Sequence, residues 1–220
     1  IGVDKDGESA ELGMRAGVTL SNGSMSNIVG PDNVIAFNET GIRQTSTGTG
    51  NRFTENSIYA NSRIGIDLGR RGQNQNDLGD HDTGANNLQN SPVIQSASQA
   101  GSQLTVTVSL DITPSSSMFP FRIEVFDSQE GQGVRFLGAG DYSLANFESG
   151  SLTVTLEVGE SIVDSLTATA TDADGSTSEF SSEVQVNSSV EGLLFQPNDD
   201  EDELAGLFAS VGSGLLLSEL

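Results

Sequence analysis

Hydrophobic residues in the first part of the chain recur in short groups at a regular interval of twenty-three or twenty-four positions. The segment "NVIAFNETGI" begins at Asn33, and "NSIYANSRIGI" begins at Asn56. Ile66 follows Ile42 at the longer of the two intervals, as "TGI" at 40–42 follows "AGV" at 16–18. Each unit is too short for a propeller blade or a helical hairpin, and it lacks a helical period. The pattern predicts a coil of short parallel strands, with each winding stacked on the last at about 4.8 Å.

Asparagine and glycine mark the expected bends of this coil. Asn38 and Asn61 occupy equivalent positions in consecutive units, and asparagine both tolerates left-handed backbone and bonds to nearby backbone groups. Gly17, Gly41 and Gly65 follow one another at the same constant interval and indicate a second bend. The end of such a coil exposes unpaired strand edges, so we expect another element to cover it.

From residue 103 the polar and apolar positions alternate with a period of two instead. Segment "LTVTVSL" alternates leucine and valine with threonine and serine, and turn signals such as "EGQG" (130–133) and "DADG" (172–175) separate the later segments. The expected strands cover 104–110, 121–126, 134–139, 151–158, 165–171 and 179–186. Six short strands with turns between them predict an antiparallel β-sandwich of immunoglobulin-like size, which is our candidate cover for the coil.

Composition divides the chain into three predicted parts. Residues 1–95 hold seven of the nine basic residues and form the end of the coil with an Asp/Asn-rich loop. Residues 96–188 form the sandwich. Residues 189–220 contain the acidic run "QPNDDEDE" and an apolar tail with leucines at helical spacing. This last part is either a linker or a short helix that docks on another domain or copy.

The charge of the chain limits the classes of molecule that it is expected to bind. Its 220 residues carry a net charge of −22, which disfavours nucleic acid and anionic membranes and favours the binding of cations. No apolar run reaches the roughly 20 residues of a bilayer span, so we expect no membrane insertion. The absence of cysteine excludes disulfides and thiolate metal sites. Because the chain begins with Ile1 and shows no signal peptide, we expect a piece of a longer protein.

The segment "NDLGDHDTGANNLQN" at 76–90 holds the main candidate for chemistry. It places Asn76, Asp77, Asp80 and Asp82 close together, with glycines among them. Calcium prefers about six to eight oxygen ligands from carboxylates, amides and carbonyls, and a flexible Asp-x-Asp loop can supply several of them. Asp67, in "GIDLG", is a further expected ligand. The alternative is a solvated loop in which Asp and Asn side chains form local turns.

Two other candidates accompany this loop. The segment "TDADG" places Asp172 and Asp174 close together, either as a second calcium site or as a hairpin with Gly175 at a positive φ. The only histidine, His81, is flanked by two aspartates, which suggests an acid or base. No G-x-S-x-G elbow accompanies it, so an ordinary loop residue is the preferred interpretation.

A family resemblance is carried by five segments: "IGVDKDGESAELG", "DNVIAFNETGI", "NRFTENSIYANSRIGIDLG", "NDLGDHDTGANNLQNSPVI" and "LTATATDADGSTSEFS". Together they resemble the C-terminal end of bacterial right-handed parallel β-helix repeat proteins, which have the pectate-lyase-like fold. The resemblance covers roughly residues 1–183. It implies an all-β fold, in which the last turns of a right-handed parallel β-helix are followed by an antiparallel immunoglobulin-like β-sandwich. It also implies a secreted or cell-surface location.

These observations predict a non-catalytic structural or adhesive module of a large bacterial extracellular or cell-surface protein, stabilised by calcium. Stacked windings suit that role because each braces only its neighbours, so length can grow without a larger core. We expect a polysaccharide or another surface protein as a partner, and no nucleic acid. The oligomeric state is left open.

The alternative prediction is polysaccharide binding or lyase-type cleavage. The resemblance implies this alternative because polysaccharide lyases of the same fold bind acidic sugars along a sheet face, with calcium and an arginine or lysine base. Arg15 and Arg63 each precede a repeat glycine by two positions, so both are expected on one face of the coil. Glu39 occupies the equivalent position in the middle winding, and Arg43 belongs to another file. A polyanion groove and a set of solvated arginines both fit this pattern.

Overall fold

Seven short parallel strands begin the fold in this computed structural model, which describes residues 1–4, 6–9, 13–159, 161 and 163–188. They form three narrow sheets, ordered β1-β4-β7, β2-β5 and β3-β6. Ile42 pairs with Val18 on one side and Ile66 on the other, while Ile35 pairs with Ile58. These pairings follow the intervals of the sequence repeat, so consecutive windings lie on one another. The strands are β1 (Val18–Leu20), β2 (Ile28–Val29), β3 (Val34–Ala36), β4 (Thr40–Gln44), β5 (Arg52–Phe53), β6 (Ser57–Tyr59) and β7 (Ile64–Leu68).

Aliphatic side chains fill the interior of these windings, residues 13–69, which we term the coil. Ile35, Ile42, Ile58 and Ile66 are almost fully buried and pack in one cluster with Phe53. β-branched residues suit such strands, and full burial of one of these side chains contributes about 1.5–3 kcal/mol. The coil interior is therefore narrow but dry.

Asparagine ladders hold the bends. The backbone N–H and the side-chain amide of Asn38 both donate to Oδ1 of Asn61, each at 3.1 Å. Two further ladders join Asn27 to Asn51 and Asn33 to Asn56. The left-handed backbone that we expected at the asparagines themselves lies one position earlier, at Phe37 and Ala60, where φ is 57° and 48°. The side chain of each asparagine is needed for the ladder, and its neighbour takes the strained backbone.

Of the three repeat glycines, Gly17 lies at a bend just before β1, whereas the other two do not form the predicted second bend. Gly41 and Gly65 lie inside strands β4 and β7. A Cβ atom on Gly41 would lie 2.4 Å from the carbonyl oxygen of Gly65 and 2.6 Å from Cγ2 of Ile58. Glycine is required here because the next winding packs directly against the backbone.

Residues 93–188 form two four-stranded sheets that share one hydrophobic core, and we term them the two-sheet unit. The sheets are ordered β11-β10-β13-β14 and β12-β9-β8-β15, and the described neighbours are antiparallel except for β15 with β8. The elements are β8 (Val93–Ala100), β9 (Gln103–Ser109), β10 (Phe121–Gln129), β11 (Gln132–Tyr142), α1 (Leu144–Ser149), β12 (Leu152–Glu157), β13 (Ser165–Thr171), β14 (Val184–Gln185) and β15 (Asn187–Ser188). Valine, leucine and isoleucine side chains from both sheets meet in the core.

The alternating pattern locates five of the six expected strands, and the structure differs in three places. Only Val184–Gln185 forms a strand within the expected 179–186, because the residues before it turn toward the coil. Strand β8 was not predicted; its alternation is interrupted by a register shift between Ile94 and Ser96. Helix α1 was not predicted either; it is six residues long and is capped by Ser143 and Asn146.

The architecture is all-β, as predicted. Within the described residues, no helix has the length and apolar character that a membrane crossing requires. The described residues all belong to one compact unit. The predicted acidic linker and apolar tail, residues 189–220, lie outside the described residues.

Candidate functional site

The last winding of the coil ends against side chains of the two-sheet unit and of the loop before it. Some of its backbone N–H groups donate back to the preceding winding, and others point out of the coil, where a further winding would otherwise supply acceptors. Among the described residues, six of these outward N–H groups donate to side-chain oxygens at 2.8–3.2 Å: Gly50 to Ser176, Asn51 to Asn86, Phe53 to Thr177, Glu55 to Glu124, Asn61 to Gln132 and Leu68 to Glu179. A buried donor without an acceptor costs about 1–3 kcal/mol, so this closure stabilises the end of the coil.

Two of these side chains continue the asparagine ladders. Oε1 of Gln132 accepts the backbone N–H and the side-chain amide of Asn61, as Oδ1 of Asn61 accepts those of Asn38. Oδ1 of Asn86 accepts the N–H of Asn51 in the same way. Both capping amides come from outside the coil, yet they occupy the hydrogen-bonding positions of a further winding.

Residues 176–182, which we term the plug, lie between strand β13 and the coil. Ser178 and Ser181 accept the N–H groups of Ala170 and Ala168 through their hydroxyls, which replaces a regular strand ladder. The Phe180 ring covers the apolar end of the coil, where a Cβ on Gly65 would lie 2.8 Å from it. Serine and threonine let the plug bond to both neighbours at once, because a hydroxyl both donates and accepts.

A buried carboxylate on β10 forms a second anchor. Glu124 has no exposed surface, and its side chain accepts hydrogen bonds from Thr54, from the backbone N–H of Glu55 and from Nε of Arg122. Nη2 of Arg122 also lies 2.7 Å from Oε1 of Glu55. A buried charge is tolerated when it is paired and hydrogen-bonded, and Glu124 meets both conditions.

The loop at 76–90 leaves the coil at β7 and is tied back to the start of the two-sheet unit. Asp80 accepts the N–H of Asn90 and the amide of Gln89, both at 2.8 Å. The backbone N–H of Gly79 donates to Asp111 at 3.0 Å. Asn76 exchanges hydrogen bonds with Ser91. The loop is therefore held at several points along its length.

Three of the predicted ligands meet in this loop. Asp77, Asp80 and Asp82 each present an oxygen atom within 4.8 Å of the other two, which is close enough to share a metal ion. Oδ1 of Asp82 is shielded from solvent and has no hydrogen-bond partner among the residues that the structure describes. Three carboxylates at this separation repel one another, and a cation would relieve that repulsion.

The pKa values of these carboxyl groups reflect the same crowding. Burial raises the pKa of Asp80 to about 6, against the N–H of Asn90, and the charges of Asp77 and Asp82 raise it further. Burial and then the charge of Asp77 raise the pKa of Asp82. Ionising all three groups together is therefore unfavourable without a counter-ion.

The remaining predicted ligands have other surroundings. Asp67 does not belong to this cluster; it is 2% exposed and pairs with Arg43 on the neighbouring strand. The side chain of Asn76 bonds to Ser91. Asp172 accepts the N–H of Ser176 at 2.8 Å, within the turn predicted for this segment.

A cavity of about 430 Å³ connects two acidic segments that lie far apart in the sequence. Asp172 and Asp174 line it together with Asp80 and Asp82. Gly175 has the predicted positive φ, 95°. His81 also lines the cavity, and its Nε2 lies 3.3 Å from the hydroxyl of Thr113. Four carboxylates in one cavity make it a strongly cation-favouring part of the surface.

A cluster of basic residues, in contrast to this acidic cavity, lies on the outside of the coil. Nη1 of Arg63 and Nη1 of Arg71 lie 3.0 and 3.1 Å from the same oxygen of Glu39. The hydrogen bond from Arg63 lowers the pKa of Glu39, and the charges of Arg71 and Arg15 act in the same direction. The expected file of Arg15, Glu39 and Arg63 is thus joined by Arg71, and the charges of all three arginines act on Glu39.

The capping residues could not be identified from the sequence as functional. Gln132 lies in a turn segment, and Glu124 and Glu179 lie in alternating segments whose polar positions were expected to face water. The available signal was the run "STSEFSS", in which every residue except the phenylalanine can accept a hydrogen bond through its side chain.

No family model and no curated protein matches this chain. The candidate sites are therefore interpreted from their geometry and charge.

Proposed function

We propose that the chain is a non-catalytic structural or adhesive module of a large bacterial extracellular or cell-surface protein. In this proposal the coil is the last part of a right-handed parallel β-helix, and the two-sheet unit is an immunoglobulin-like sandwich that terminates it. The main support is the closure of the last winding, where six backbone donors meet side-chain acceptors. A terminated stack of windings is a stiff support whose open edge cannot recruit other strands.

Calcium at the loop triad is part of the same proposal. Asp77, Asp80 and Asp82 would supply carboxylate oxygens, the ligand type that calcium prefers. The shielded oxygen of Asp82 is available for coordination because no group in the described part of the chain bonds to it. The ion would neutralise the repulsion in the loop and stabilise the connection between the coil and the two-sheet unit.

Thermal unfolding with and without a chelator tests the calcium part. Calcium at a hundred times its dissociation constant adds about 2.7 kcal/mol to the stability, so we expect the melting temperature to fall by about 5–10 °C in chelator. Asp82→Asn should remove most of this difference, whereas Asp164→Asn, at an exposed carboxyl away from the loop, should preserve it. A wild-type melting temperature that ignores chelator would remove calcium from the proposal.

Location is tested separately. An antibody against the two-sheet unit should label intact cells of the source organism, and external protease should remove that label. Labelling that appears only after the cells are broken would contradict a surface or extracellular role.

A second candidate function is the binding of acidic polysaccharide, and the arginine cluster supports it. Arg63 and Arg71 are 48% and 44% exposed, and each guanidinium has five N–H donors, of which one or two are directed at Glu39. The free donors match the carboxylates of a uronic-acid polymer. Such a local excess of positive charge contrasts with the net charge of −22 of the whole chain, and it marks the part of the surface that favours an anionic ligand.

Co-sedimentation with polygalacturonate, with neutral dextran as the reference polymer, tests this second candidate. Arg63→Ala with Arg71→Ala should abolish binding, and Glu39→Gln should strengthen it because it removes the competing anion. Formation of unsaturated products, followed by absorbance, would indicate lyase activity. Equal retention by both polymers, or no effect of these variants, would exclude the cluster as a polyanion site.

A further inference from the structure

A cavity of about 510 Å³ lies where the chain passes from the coil to the two-sheet unit. Its walls come from the segment 73–76 after β7, from residues 91–94 around the start of β8, and from Ser182 and Val184. Although 18% of the chain is charged, none of the described residues that line this cavity carries a charge. The volume lies within the range of sites that hold small ligands. A neutral cavity in so acidic a chain favours an uncharged ligand over either kind of ion.

The segment 73–76 is anchored at two of its residues, both of them asparagines. The backbone N–H and the side-chain amide of Asn74 both donate to Glu179 at 2.8 Å. The side chain of Asn76 donates to the carbonyl oxygen of Ser91 at 2.8 Å and accepts the N–H of Ser91 at 2.9 Å. Because the asparagines make both anchors, the segment is fixed without using the two glutamines that alternate with them.

These glutamines, Gln73 and Gln75, line the cavity with open hydrogen-bonding groups, and both are exposed. The amide of Gln73 makes one long contact, of 3.5 Å, to the carbonyl oxygen of Phe180. Within the described part of the chain, the amide of Gln75 and the hydroxyl of Ser182 have no hydrogen-bond partner. A side-chain amide offers two donors and an acceptor, and a hydroxyl both donates and accepts. The open groups therefore match a ligand that is covered with hydroxyls.

Aliphatic side chains supply the rest of the lining. Val93 is 49% exposed, and Ile94 and Val184 line the cavity with it. A ligand with an apolar surface would gain free energy by covering the exposed part of Val93. A sugar ring presents C–H groups on its faces and hydroxyls at its edge, so it matches both kinds of lining. A peptide that extends a sheet would instead need free main-chain groups, whereas the open groups here belong to side chains.

We propose that this cavity binds a neutral oligosaccharide, with Gln73, Gln75 and Ser182 bonding to its hydroxyls and Val93 contacting the face of a ring. The inference goes beyond the proposed structural role and is independent of calcium and of cell-surface location. It differs from the second candidate function in both site and ligand, because the arginine cluster would bind an acidic polymer.

Titration of ¹⁵N-labelled protein with neutral hexasaccharides tests the proposal. The probes are cellohexaose, chitohexaose, laminarihexaose, maltohexaose and mannohexaose, with hexagalacturonate as the charged reference. We expect at least one neutral probe to shift the amide resonances of residues 73–76, 93–94 and 182–184 saturably, and hexagalacturonate to leave them unchanged. The absence of saturable shifts at these positions with all the neutral probes would overturn the proposal.

Variants of the glutamines test which groups bind the sugar. Gln73→Ala with Gln75→Ala should weaken the binding of the active probe by about tenfold or more, because two open amides are lost. Gln103→Ala, at an exposed amide at the other end of the β8–β9 pair, should keep the wild-type affinity. The spectrum of each variant shows directly that it is folded. Equal affinity of the double variant and the wild type, or equal shifts from a neutral glycine–serine peptide, would contradict the assignment to sugar.

Discussion

The coil and the two-sheet unit are stabilised in different ways. In the coil, amide ladders such as Asn38 to Asn61 and files of isoleucine connect each winding to the next. In the two-sheet unit, antiparallel neighbours supply most backbone hydrogen bonds, and a larger core shared by both sheets buries the apolar side chains. The last winding of the coil therefore has a neighbouring winding on one side only. The two-sheet unit does not depend on stacked repeats, because its own strands and sheets supply the partners.

This difference explains why buried polar side chains concentrate at the contact between the two regions. Glu124, Gln132 and Glu179 are each at most 4% exposed, although they belong to residue types that usually face water. Each bonds to a backbone donor of the last winding. The two-sheet unit thus contributes acceptors that its own fold does not use, and the coil depends on them.

The largest expected effect comes from breaking a ladder inside the coil. Asn61→Ala removes the acceptor of Asn38 and the donor to Ile35, Tyr59 and Gln132. Because several buried groups lose their partners, we expect the free energy of unfolding to fall by about 3–5 kcal/mol in urea titrations. Gln75→Ala, at an exposed amide, is the control and should change stability by less than about 0.5 kcal/mol. A loss of less than about 1 kcal/mol for Asn61→Ala would show that the ladder is dispensable.

The next variant tests the contact between the two-sheet unit and the last winding separately from the ladders inside the coil. Gln132→Ala leaves the N–H of Asn61 without an acceptor but keeps the ladder from Asn38 intact. We expect a loss of about 2–3 kcal/mol, against about 0.5 kcal/mol or less for Gln103→Ala, whose amide bonds to the exposed Glu157. Equal losses for the two variants would mean that the two-sheet unit does not stabilise the coil.

A smaller effect tests the packing of the plug. Gly65→Ala places a methyl group 2.8 Å from the Phe180 ring, and we expect overpacking to cost about 1–3 kcal/mol. Phe180→Leu in the same chain should recover part of this loss because it makes room for the methyl group. A double-mutant cycle measures that recovery. Strictly additive losses would indicate that the two residues do not touch.

Much of the coil could be predicted from the sequence, because its repeat fixes which residues stack. The spacing of Ile42 from Ile66 and of Asn38 from Asn61 corresponds to direct pairing in the structure. The contact between the two regions could not be predicted, because it joins residues with no shared period, such as Glu124 and Thr54, which are 70 positions apart. The closeness of Asp77, Asp80 and Asp82 could be predicted because they are neighbours in the sequence, but the shared cavity with Asp172 depends on the turn at 172–175 folding back toward the loop.

The smallest effect tests the acidic loop through the pH dependence of its stability. Because the pKa of Asp80 is raised to about 6 in the folded state, its proton stabilises the fold at low pH. In chelator, this contribution of about 1 kcal/mol should be lost as pH rises from 5 to 7. Asp80→Asn should remove it, and saturating calcium should abolish it in the wild type. If Asp80→Asn keeps the wild-type profile in chelator, the loop carboxylates are not coupled.

Amide hydrogen exchange at the last winding tests the central claim, that side chains of the two-sheet unit and its preceding loop replace a missing winding. We predict slow exchange for the N–H groups of Gly50, Asn51, Phe53, Glu55, Asn61 and Leu68, comparable to that of the inner strand β4. Exchange of these six amides at the rate of unprotected chain, with β4 still protected, would contradict it.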